Sequence, residues 1–180
     1  MGMVTMAVLG LLAFLPQFMS SAVSAETREA AAENTKPPLQ ISNQTGMKIV
    51  VQINSSDTVP SGISKQVLAV KNLHDQYTAL GMKPGEDYEI VMVFRGDGAR
   101  FLLTDAAYDL KVKQPHPKGN PNTAMIEGLR KGGVKMYECN VAMTLLGYKP
   151  EDIFPFSRIV VSGIGAVLDL QKSGYLLITP

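Results

Sequence analysis

The sequence has one cysteine and two histidines in 180 residues, and each scarcity closes off a class of chemistry. A lone cysteine, Cys139, excludes an intramolecular disulfide and any cysteine-rich metal site. His74 and His116 have no neighbours at metal-ligand spacing, so no metal is expected. An excess of positive charge is missing too: 17 basic residues stand against 16 acidic, for a net charge of +1, and no basic cluster occurs. Phosphate backbones and anionic membrane surfaces are held by concentrated positive charge, so neither a nucleic-acid partner nor a polybasic membrane contact is expected. Neither G-x-G-x-x-G nor a G-K-[ST] loop is present, which leaves no cofactor motif and ranks a nucleotide or redox enzyme on a flavodoxin-like frame low. There is no internal repeat.

What apolar run there is lies at the start. Residues 6–15 have the length of a secretory h-region, and the small-residue site Val23-Ser24-Ala25 follows. A spanning helix needs ~20 apolar residues, so this run reads as a signal peptide over residues 1–25, cleaved after Ala25. An uncleaved anchor is the alternative. Export places the chain in the periplasm or outside the cell, with no stable membrane insertion after cleavage. Residues 26–46 show little apolar periodicity and read as a flexible tether, leaving residues 47–180 as one domain with a sizeable core.

Within that domain strands and helices alternate. Residues 47–54 and 88–94 are nearly continuous apolar runs, the pattern of strands buried on both faces. Between them Ile63, Val67, Val70, Leu73, Tyr77 and Leu80 recur at helical spacing up to Gly81. After the turn Arg95-Gly96-Asp97-Gly98, the stripe Ala99, Leu102, Leu103, Ala106 and Leu110 predicts a second helix. Asn120-Pro121 reads as N-cap and first residue of a third, ending at Gly132-Gly133. Val134 to Tyr137 suit a strand, and Asn140 suits the cap of a helix running to Gly147. Residues 157–161 form a fourth strand, Ser162-Gly163 a turn and cap, Ile164 to Gln171 a short helix, and residues 175–178 a fifth strand. The alternation implies an α/β fold with a five-stranded, mainly parallel sheet, because each return crossover needs a helix.

In such sheets ligands bind beyond the carboxyl ends of the strands. Those ends carry Arg95, Cys139, Asn140, Ser162 and Gly163. Cys139 sits at a strand-to-helix switch, where free N–H groups and the helix dipole favour thiolate over thiol. No acid pair, Ser-His-Asp set or Cys-His pair accompanies it, which argues against protease-like hydrolysis. A sulfur carrier needs only a reactive, accessible thiolate and a docking surface. Arg95 is placed to stabilise a sulfur anion, or alternatively to pair with Asp97 on the surface.

Residues 134–140, Gly147, Asp152-Ile153-Phe154-Pro155, residues 160–166, residues 170–175 and Pro180 together resemble the DsrE/DsrF-like proteins of the YchN-like fold. Residues 47–53 and 93–98 are similar to the first two strands and following turns of that family. Glu138 departs from the pattern, as a polar residue where the strand is expected to be apolar. The resemblance implies a three-layer α/β/α sandwich that assembles as a homotrimer or homohexamer, without a cofactor. It also implies a cysteine, here Cys139, that carries sulfur as a persulfide between donor and acceptor proteins or small thiols. Arg95, Asn140, Ser162 and Gly163 are the expected substrate-binding residues, and a sulfurtransferase-like activity is the expected chemistry. The other reading is a non-catalytic oligomeric binding module of the exported compartment with a buried, inert cysteine.

Overall fold

The computed structural model describes residues 41–112 and 119–180. The expected signal peptide, most of the expected tether and His116 lie outside the described residues. In chain order the elements are β1 (Met47–Ile53), α1 (Lys65–Ala79), β2 (Tyr88–Phe94), a 3-10 helix (Gly96–Leu102), α2 (Asp105–Lys111), α3 (Thr123–Lys131), β3 (Lys135–Cys139), α4 (Asn140–Leu146), a 3-10 turn (Pro150–Asp152), β4 (Arg158–Val160), α5 (Gly163–Lys172) and β5 (Leu176–Ile178).

The five strands form one parallel sheet in the order β4-β3-β2-β1-β5. The chain therefore steps outward from β1 to β4 and then crosses back over the sheet to β5. Crossovers between parallel strands are right-handed, so a reversal of direction moves the connecting helix to the other face. The side chains agree. Ile49, Val51 and Ile53 of β1 and Ile90, Met92 and Phe94 of β2 join Val67, Val70, Ile126, Leu129 and Met143 in the main core. Their strand neighbours Val50, Val91 and Val93 point the other way and meet Val167 and Leu170 of α5. Both faces of the central strands are thus buried, which explains their unbroken apolar runs.

Three local readings differ from the sequence expectation. The apolar stripe from Ala99 to Leu110 is two elements, because Leu103 bridges to Ile153 and the Thr104 side chain caps a new helix by accepting from Ala107 N–H. Asn120 does not hold the N-cap position, although its Oδ1 accepts the Asn122 N–H at 2.9 Å just ahead of the helix. Its side chain is buried and donates to the Phe101 and Leu103 carbonyls at 2.9 and 2.8 Å, tying the loop to that break, and Asn122 takes the capping position. The helix after β3 also starts one residue early, so Cys139 occupies the N-cap and Asn140 is the first helical residue.

Gly98 holds the turn after β2 against the end of β1. A Cβ there would lie 2.2 Å from the Ile53 carbonyl oxygen and 2.8 Å from Asn54 N, and backbone cannot step aside. Gly98→Ala is expected to destabilise the fold by about 3 kcal/mol, the upper range for overpacking a tight contact, read from urea denaturation.

Candidate functional site

The reversal of chain direction creates a crevice. After β3 the chain turns into α4, whose Met143 packs into the main core, whereas after β4 it turns into α5 on the opposite face. Loops leaving adjacent strands in opposite directions open a gap at the carboxyl edge of the sheet, the usual ligand position in open α/β folds. Cys139 ends β3 and Ser162-Gly163 follows β4, so both border that gap.

Along β3, Met136 and Glu138 face the main core while Tyr137 faces α5. Cys139 follows this alternation and turns toward α5. Its Sγ accepts the Gly163 N–H at 3.0 Å. Gly163 opens a ten-residue helix, so the sulfur meets the positive end of α5. The approach is tight: a Cβ at Gly163 would lie 3.0 Å from the Cβ atoms of Cys139 and Arg95 and 3.3 Å from Sγ, so a larger residue would push these neighbours back by a few tenths of an ångström. Ser162 has another task, capping α5 by accepting from Gly165 N–H at 3.3 Å.

A cavity of about 130 Å³ lies over the sulfur. Arg95 and Ser162 give it a polar rim, and Val141, Leu145 and Ile164 form an apolar wall. Cys139 itself is 5 % exposed, reached through this cavity. Arg95 is half-buried, and among the described residues no ion pair joins it to Asp97. Asn140 is exposed and outside the lining, so of the expected set the fold gathers Cys139, Arg95, Ser162 and Gly163.

Behind the cysteine lies Glu138, which is 0 % exposed. Its Oε1 accepts the Cys139 N–H at 3.1 Å, and its buried Oε2 has no hydrogen-bond partner among the described residues. Burial holds this carboxyl well above the usual carboxylate range. The Cys139 N–H pulls it back down, and negative charge on the cysteine sulfur would push it further up. Burial thus disfavours a charge on Glu138 behind the sulfur. Two features of the site were hard to see in the chain. Glu138 showed only as a break in an apolar strand, and the apolar wall showed only as the absence of any charged residue from Asn140 to Leu146.

The family model of the DsrE/DsrF-like proteins matches residues 47–180, the whole of the sheet and its helices. The chain belongs to the DsrE/DsrF-like family. No curated protein matches it in sequence. Among solved structures, a protein of unknown function from Methanobacterium thermoautotrophicum, MTH1491, is similar with a TM-score of 0.55 at 19 % identity, over 74 % of this chain and 99 % of that one. The YchN protein of E. coli is similar with a TM-score of 0.50 at 15 % identity, over the same 74 % and 99 %. At such identities the likeness concerns the fold, a parallel α/β sheet of the YchN type. In this DsrE/DsrF-like chain the only cysteine stands at the switch crevice of that sheet.

Proposed function

We propose that the protein is an exported sulfur-relay carrier, with sulfurtransferase-like chemistry at Cys139. The observation that carries this reading is the Cys139 sulfur held at the crevice against the Gly163 N–H beneath a small cavity. The Cys139 thiolate attacks the outer sulfur of a donor persulfide. A new S–S bond forms on Cys139, the donor S–S bond breaks, and the donor leaves as a thiolate with the bonding electron pair. No external oxidant or reductant is consumed. The Gly163 N–H offers a donor to anionic sulfur, and Arg95 on the cavity rim offers a positive charge. Passing the sulfur on to an acceptor thiol reverses these steps.

Other copies of the chain complete the crevice in this reading, as a homotrimer or homohexamer. Leu145 is 81 % and Ile164 57 % exposed in the cavity wall, Leu168 further along α5 is 60 % exposed, and α4 carries no charge. Apolar surface of this kind is retained where a partner covers it. Donor and acceptor are small thiols or proteins of the periplasm or extracellular space. Export by a cleaved signal peptide belongs to the same proposal.

The 5 % exposure of Cys139 favours a second reading, a binding module with an inert cysteine. Native mass spectrometry separates the two. After exposure to a persulfide donor, the carrier gains one or more sulfur atoms per subunit, whereas assembly as trimers or hexamers and a mature chain beginning at Glu26 are expected of both. Iodoacetamide should label Cys139 in the native assembly near neutral pH. A cysteine that gains no sulfur and stays silent until denaturant is added belongs to the binding module.

A further inference from the structure

A second cleft lies at the opposite end of the strands from Cys139. It encloses about 290 Å³ where β3 and β4 begin, bordered by Arg130, Lys135, Phe156 and Arg158. No carboxylate lines it. Lys135 is neutralised by Glu89, whose Oε2 lies 2.7 Å from its Nζ and also accepts the Tyr175 hydroxyl at 2.9 Å. Those two contacts hold the Glu89 carboxyl below its ordinary range. Arg130 and Arg158 have no such partner: among the described residues neither guanidinium meets a carboxylate. Arg130 is nonetheless positioned, with its guanidinium carbon 4.9 Å from the Phe156 ring centre, and that ring stacks on Phe154 at 5.1 Å and 14°.

Two like charges beside one cleft repel unless an anion lies between them. A guanidinium held over an aromatic ring still has N–H groups to offer an oxyanion. Beside it, β4 first pairs with β3 at Tyr137, so Lys135 and Met136 have no strand partner on that side.

We propose that this cleft binds a small oxyanion whose acidic head lies between Arg130 and Arg158. The site is separate from Cys139 and does not depend on the sulfur-relay reading. Phenyl phosphate and inorganic phosphate serve as probes, titrated into the full native protein by calorimetry, with NMR of the arginine side chains locating the contact. Binding is expected with either probe, with shifts of the Arg130 and Arg158 side-chain signals and weakening as NaCl is raised. Arg130→Gln and Arg158→Gln should each weaken it ~10-fold, the loss typical of a charge-assisted contact. Both side chains are exposed, so the variants should fold, and unchanged thermal unfolding checks that they do. Binding that both variants leave unchanged, shifts spread over all surface cations, or no binding to the native assembly would each overturn the assignment.

Discussion

Cys139→Ser is expected to reduce sulfur uptake from a persulfide donor to background while leaving fold and assembly intact. The structural side follows from the contacts of the sulfur. Sγ accepts one N–H, from Gly163, and packs in a small cluster with Ala99 and Ala142. A serine Oγ is slightly smaller and accepts the same N–H but is more polar than the thiol it replaces, so a stability loss of about 1–2 kcal/mol is expected, less than a folded domain's margin. The chemical side is all or none. Oxygen forms no persulfide, and no other cysteine exists in the chain to substitute. Mass after donor exposure, urea denaturation and native mass spectrometry on the same two proteins read the three quantities. Equal sulfur uptake by wild type and C139S would show that Cys139 is inert and that the crevice serves binding alone.

The strands were the legible part of the chain, for a physical reason. A strand buried on both faces is apolar at every position, and β2 runs from Tyr88 to Phe94 in the structure as in the sequence reading. The stripe from Ala99 to Leu110 misled because a 3-10 helix followed by an α-helix keeps nearly the same apolar spacing as one helix. What breaks them apart is long-range, the Leu103–Ile153 bridge and the Asn120 side chain. Sheet order was not legible at all, and the crevice depends on it. Only the return from β4 across to β5 sends α5 to the opposite face and brings Gly163 to the sulfur. Sequence reasoning named Cys139, Ser162 and Gly163 from their strand ends. It assigned the sulfur contact to the helix after the cysteine, whereas the hydrogen bond comes from the helix after β4.

Glu138→Gln is expected to make the protein more stable than wild type at neutral and alkaline pH and nearly equal to it in acid. A carboxyl whose folded-state pKa is raised holds its proton more tightly when folded than when unfolded. Its contribution is fully present below the unfolded value near 4.5 and is lost as pH rises toward the folded value. Within that window wild-type stability falls by about 1.4 kcal/mol per pH unit, and above it the deficit is constant. Glutamine is isosteric, keeps an oxygen to accept the Cys139 N–H, and has nothing to ionise. Asp75 and Glu89, whose carboxyls are lowered by Lys71 and Lys135, act in the opposite direction, but both are present in each protein and cancel in the difference. Urea denaturation of both proteins from pH 4 to pH 9 reads that difference directly. Parallel curves would mean that Glu138 titrates alike in the folded and unfolded chains, and its burial would then impose no protonation. The same variant bears on the cysteine. Because burial disfavours a charge on Glu138, sulfur loading near neutral pH should change little in E138Q. Faster loading in E138Q would mean that the wild-type carboxyl is ionised and repels the attacking thiolate.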